Sequence, residues 1–190
     1  MAAACALIVL ATLPSGCASR GTLRAKADLV DTRGKAIGNA EFWSEDHATR
    51  IHVRLQEGAL SPGKHGIHLH ENGVCEGPDF KSAGPHFGAT APRRHGLSHD
   101  PGTRHLGDLP NLEVRADGSA DSRLLTGQLR WPTAGAGATK TSGEAAGEGD
   151  LFKPGGTSLL IHEREDDQKT DPSGESGGRI ACGVIVPANH

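Results

Sequence analysis

The sequence has no cluster of lysine and arginine. Its 20 basic residues stand against 23 acidic ones, a formal charge of −3, so the electrostatic footprint of a nucleic-acid binder is missing. It also lacks a phosphate-cradling glycine loop and a dinucleotide fingerprint. No apolar run is long enough to span a bilayer; the uncharged stretch Ala2 to Leu13 suits the hydrophobic region of an export signal instead. Long helical patterns are scarce. With 35% hydrophobic residues, 27 glycines and 11 prolines, the chain reads as short strands joined by many turns, in one domain with core enough for a sandwich.

What the chain does have is histidine, eleven in all. In Gly66-Ile67-His68-Leu69-His70-Glu71, an extended backbone sends His68 and His70 to one face and Ile67 and Leu69 to the other. That is a two-pronged imidazole chelate with an apolar back. Further histidines follow in Gly84-Pro85-His86-Phe87, His95-Gly96, His105-Leu106-Gly107-Asp108-Leu109-Pro110 and Leu160-Ile161-His162-Glu163. A lone histidine in a loop is more often a surface or hydrogen-bonded residue than a ligand, and His47, His52 and His190 are read that way. His65 points away from the His68/His70 face by parity and is read as structural.

Leu23, Ala25, Ala27 and Leu29 alternate with polar residues, Asp31 to Lys35 supplies a turn, and a second strand runs to about Trp43. Ile51, Val53 and Leu55 alternate again. Leu112 and Val114, the turn Ala116-Asp117-Gly118 and a strand to about Leu125 read as a hairpin. Glu71 to Asp108 is a long Gly- and Pro-rich loop, of a length that implies ordering by function or metal. Residues 131–149 are Ala/Gly/Thr/Ser/Glu-rich and read as a mobile loop that buries too little to order itself.

These histidine segments, with Gly178-Arg179-Ile180-Ala181-Cys182-Gly183-Val184-Ile185, resemble in order and approximate spacing the copper,zinc superoxide dismutase family, its bacterial exported branch in particular, over residues 23–186. The resemblance implies an all-β fold: an eight-stranded Greek-key β-barrel or sandwich with long metal-binding and electrostatic loops, the latter at Arg164 to Gly178. It implies one copper per chain on His68, His70, His86 and His162, and one zinc on His86, His95, His105 and Asp108. Such donor sets suit a tetragonal Cu(II) and a tetrahedral zinc. His99 competes for the zinc register; His95 is preferred because Gly96 follows it, and His105 because Leu106-Gly107-Asp108 follows.

The implied activity is disproportionation of superoxide by copper cycling, with zinc anchoring the bridging His86, which takes up a proton when copper is reduced. Asp166 matches a carboxylate that orients one copper and one zinc histidine, and Arg179 the arginine beside the copper channel. The alternative is a copper- and zinc-buffering or delivery protein on the same fold. A module without activity, free to lose its ligands, is the weaker rival.

The resemblance also pairs Cys75 with Cys182 in a disulfide. Cysteine usage agrees with export: of four, Cys5 leaves with a signal and Cys17 sits in Leu13-Pro14-Ser15-Gly16-Cys17, which looks like a lipoprotein cleavage box with proline in place of the usual aliphatic residue. The expected organisation is a signal at 1–16, a linker at 17–22 and the enzyme domain at 23–190. Location in the periplasm or cell envelope follows, with membrane contact only through a lipid on Cys17, or none if the signal is an ordinary cleaved one. Superoxide is the expected partner, and the protein is either a monomer or a homodimer.

Overall fold

The computed structural model describes residues 21–46, 48–90, 92–127, 129–131 and 149–188. The expected signal, Cys17, His47, His190 and almost all of the 131–149 loop lie outside these residues.

Among the described residues there are ten strands: β1 (Thr22–Asp31), β2 (Ala36–Ser44), β3 (Thr49–Leu55), β4 (Gly63–His65), β5 (Ile67–His70), β6 (Leu112–Val114), β7 (Ala120–Thr126), β8 (Ser158–His162), β9 (Arg179–Val184) and β10 (Val186–Pro187). One short 3₁₀ turn, Lys81–Ala83, sits in the loop after β5. In β1 the alternation holds, with Ala25, Ala27 and Leu29 buried and Lys26 and Asp28 exposed. The turn to β2 is closed by Asp31, whose Oδ1 accepts the backbone N–H groups of Arg33 at 2.8 Å and Lys35 at 3.0 Å.

Eight strands pair antiparallel in the order β5-β8-β9-β1-β2-β3-β7, with β10 on β1, while β4 pairs with β6 in a second sheet. Gly66 alone separates β4 from β5, and Ile185 alone separates β9 from β10. Counting each interrupted pair once turns these ten strands into the eight that the family resemblance implies. The sheet curls around a large apolar cluster. Ala27, Leu29, Phe42, Ile51 and Val53 from β1 to β3 meet Ile67, Leu69, Leu159 and Ile161 from β5 and β8 inside it, with Leu112 and Leu124 from β6 and β7.

One expectation is corrected. The chain does turn tightly after Val114, with Arg115 N–H donating to Ser119 O at 2.8 Å and Gly118 N–H to Arg115 O at 2.9 Å. The flanking strands nevertheless part: β6 pairs with β4 and β7 with β3, so they form no hairpin ladder. A two-sided core explains this, because Leu112 and Leu124 enter it from different sheets.

His65 is buried, with ring nitrogens 2.8 Å from the His162 carbonyl oxygen and 2.9 Å from that of Ser61. His52 lies on the other sheet, where Nε2–H donates to Asp121 Oδ1 at 2.7 Å and Nδ1 accepts from Arg54 at 2.9 Å. Both have the structural roles read for them.

Candidate metal centre

β5 is the end strand of its sheet, and its free edge is where the site is built. Leu69 N–H donates to Gly107 O and Phe87 N–H to Leu69 O, each at 2.9 Å, so two pieces of the long loop dock on β5. Bridges between His68 and Asp108 and between His70 and His86 follow from that docking. Gly107 permits it, since a Cβ there would overlap the Leu69 carbonyl oxygen. On the other side β8 pairs with β5, setting Leu160 opposite His68 and Ser158 opposite His70, and ends in His162.

Two four-residue donor groups result, His68/His70/His86/His162 and His86/His95/His105/Asp108, all seven residues buried and the donor atoms of each group within 4.8 Å of one another. His86 belongs to both. Hydrogen bonds on the far side of each ring decide which nitrogen faces inward. His68 Nε2–H donates to Asp166 at 2.7 Å, His70 Nδ1–H to Gly84 O at 2.9 Å and His162 Nδ1–H to Gly177 O at 3.3 Å. That leaves His68 Nδ1, His70 Nε2, His162 Nε2 and His86 Nε2 buried without a partner. In the second group the Nδ1 atoms of His86, His95 and His105 stand 3.0, 3.0 and 3.5 Å from Asp108 Oδ1. Those of His95 and His105 are not aligned as hydrogen bonds to it.

Unpaired buried nitrogens are costly in a native fold unless something fills them. These converge in two sets of a chemistry that copper and zinc bind, so the donor sets fit both metals. Burial, the largest cause in each case, pushes His68 and His162 down to about 4 and His86 to about 3, and holds His70 well below its ordinary value. These rings are neutral at neutral pH, as ligands must be. Burial also opposes charge on His95, but the Asp108 and Asp166 carboxylates on either side of the ring outweigh it and raise it to about 9. Burial acts to raise the Asp108 and Asp166 carboxyls, yet the histidines around them, His105, His86 and His95 at Asp108 and His68 and His95 at Asp166, hold both below the usual range.

Asp166 links the two groups, its Oδ2 accepting from His68 and its Oδ1 from His95 at 2.9 Å. Arg179 is the β9 partner of His162. Its Nη1 donates to Phe80 O at 2.8 Å and Nη2 to Gly84 O at 2.7 Å. Cys75 and Cys182 are bonded, with Cα atoms 5.7 Å apart, and pack with Phe80, Ala83 and Leu160 beside the copper-type group. His99 joins neither group. Sequence reasoning missed Asn111, which accepts Asp166 N–H at 2.9 Å and donates to Asp166 O at 2.8 Å. It also missed Gly174, where a Cβ would overlap Asp166 Oδ1. Asn111 after Leu109-Pro110, and Gly174 in the turn-rich Asp171-Pro172-Ser173-Gly174, were visible as residues without a partner to attach them to.

Curled antiparallel sheet and paired buried donor sets define a β-barrel metalloprotein with adjoining metal sites. A model of the copper/zinc superoxide dismutase family matches residues 36–185. A Cu-Zn superoxide dismutase of Aquifex aeolicus is 38% identical over 164 residues, 86% of either chain. A superoxide dismutase-like protein of Bacillus subtilis, YojM, is 38% identical over 85% of this chain and 76% of its own. Among solved structures, a SOD-like protein from Bacillus subtilis superposes with a TM-score of 0.71 at 36% identity, over 85% of this chain and 97% of that one. The Cu/Zn superoxide dismutase of Brucella abortus gives 0.63 at 25% identity, over 85% and 99%. The chain belongs to the copper/zinc superoxide dismutase family.

Proposed function

We propose that this protein is an exported superoxide dismutase that holds copper on His68, His70, His86 and His162 and zinc on His86, His95, His105 and Asp108. The observation that carries this reading is the double use of His86, with Nε2 unpaired on the side of three other histidines and Nδ1 turned toward Asp108. Copper bound there would supply one-electron oxidation and reduction, and zinc a fixed charge without redox change. Overall, two superoxide anions and two protons become dioxygen and hydrogen peroxide.

The chain's own residues orient and protonate. Gly84 and Gly177 carbonyls fix the tautomers of His70 and His162, and Asp166 fixes those of His68 and His95. Buried and without a partner, His86 Nε2 is the protein atom that would hold a proton for the reaction. Arg179, half-buried and kept charged by its high intrinsic pKa, gives the approaching anion a local positive field that a net charge of −3 does not.

Protein loaded with both metals should consume superoxide generated by a radiolytic pulse, and lose that activity when copper is chelated. Full occupancy by both metals with no consumption of superoxide would make it a buffering or delivery protein instead. Export is supported by the Cys75–Cys182 disulfide, since such bonds persist in oxidising compartments. Mass spectrometry of the mature N-terminus tests the lipid anchor: an acylated Cys17 supports it, and any other first residue leaves a soluble exported enzyme.

A further inference from the structure

Asp166 accepts four N–H donors, and two of them come from one residue that the reaction leaves unused. Oδ2 takes His68 Nε2–H at 2.7 Å and Gln168 Nε2–H at 2.8 Å. Oδ1 takes His95 Nε2–H at 2.9 Å and the Gln168 backbone N–H at 2.6 Å. An ionised carboxylate offers about four lone-pair sites, so the set is saturated and the plane of the carboxylate is fixed.

Gln168 is held in turn from three sides. Its Nε2 also donates to Leu109 O at 3.1 Å, its Oε1 accepts Leu97 N–H at 3.3 Å, and its carbonyl oxygen accepts Ser98 Oγ–H at 3.1 Å. Leu97 and Ser98 follow His95, and Leu109 follows Asp108, so one residue joins two of the zinc-bearing segments to Asp166. The backbone of Gln168 sits at φ 58°, in the left-handed region that a residue with a side chain occupies only when its surroundings impose it. Gly96 presses against it, with no room for a Cβ beside the Gln168 carbonyl. An open cleft of about 590 Å³, lined in part by Lys64, Leu97, Asn111 and Arg123, reaches Gln168, whereas Asp166 behind it is 2% exposed. The amide stands between solvent and the carboxylate.

We propose that Gln168 is the positioning residue for Asp166 and, through it, for His68 and His95. This rests on the metal assignment above. Only an amide gives two protons, to Asp166 and Leu109, while accepting a third from Leu97. Without its side chain Oδ2 keeps His68 as its one donor while Oδ1 keeps His95 and the backbone N–H, so the carboxylate loses one of its four restraints, on the oxygen that holds His68, and the orientation of both rings loosens.

The test compares Gln168→Met, which keeps the bulk, and Gln168→Glu, which keeps the shape but gives no proton at neutral pH, with wild type and Asp166→Ala. Zinc affinity is read by competition with a chromophoric chelator, copper geometry by Cu(II) electron paramagnetic resonance, and fold by thermal unfolding of the metal-free proteins. Both Gln168 variants should weaken zinc binding by about tenfold, the lower end of the range for groups that support metal ligands, and shift the copper signal. Glutamate should be the worse, since its carboxylate faces another. A Gln168→Met or Gln168→Glu protein with wild-type zinc affinity and copper signal, whatever its unfolding midpoint, overturns the proposal if Asp166→Ala weakens zinc binding in parallel. If Asp166→Ala itself leaves zinc affinity and copper signal unchanged, Asp166 orients neither ring and the proposal falls, while wild-type protein that binds neither metal would overturn the metal assignment on which it rests.

Discussion

Arg179 and His70 donate to the same acceptor, the carbonyl oxygen of Gly84, at 2.7 and 2.9 Å. The arginine therefore does two things at once. It braces the loop between the disulfide and His86, and it holds a positive charge beside the ring whose Nε2 faces the copper-type group.

Arg179→Ala should keep both metals, because Arg179 is not a ligand and Gly84 O still has His70 as a donor. The rate with superoxide should fall by about tenfold or more, within the usual range for electrostatic steering. Wild-type activity should decline with ionic strength, and the variant should decline less steeply, since salt screens a charge it lacks. Rate measurements across a salt series check this; an unchanged rate and slope would leave Arg179 only its bracing role.

Gly174 has φ +63°, and a Cβ there would overlap Asp166 Oδ1 and crowd His95 Nε2. Gly174→Ala should displace the Asp166 carboxylate and weaken zinc binding by about tenfold or more. Chelator competition checks it, with Gly34→Ala as control, because that glycine also has a positive φ but nothing lies within 4 Å of the added methyl.

The pH dependence of the metal-free protein follows from the histidines. Folding lowers His68 and His162 to about 4 and His86 to about 3 from an ordinary 6.5, so the unfolded chain binds more protons between those values. Their contribution to stability is complete above 6.5 and is lost as pH falls toward 4. The slope approaches about 1.4 kcal/mol per pH unit for each ring. His95, raised to about 9, runs the other way: its contribution is present below 6.5 and fades as pH rises through 9. Denaturant midpoints of metal-free protein should drop between about pH 6.5 and about pH 4. A flat profile there contradicts burial of three neutral imidazoles.

Much of this was legible in the sequence because it rests on period-two spacing. His68 and His70 on one face, and Ala25, Ala27 and Leu29 on another, follow from strand geometry alone. The metal loop was legible only as a resemblance: nothing in the spacing chooses His95 over His99, and what settles the geometry is the docking of residues 86–87 and 107–108 on the free edge of β5. The β6–β7 hairpin was misread because an Asp-Gly turn announces a reversal without saying which strand each arm joins. Gln168 gave no signal at all. It is one polar residue in a polar loop, and its partners lie 59 and 71 positions away at Leu109 and Leu97.

The central claim is that His86 serves two metals through its two ring nitrogens. Elemental analysis of wild type and His86→Ala, each purified after growth with ample copper and zinc, tests it most directly. Wild type should carry one copper and one zinc per chain, and His86→Ala should be depleted in both, because each donor group loses a member. Zinc without copper in the wild type, or a variant that keeps a full complement of both metals, would contradict the bridged centre.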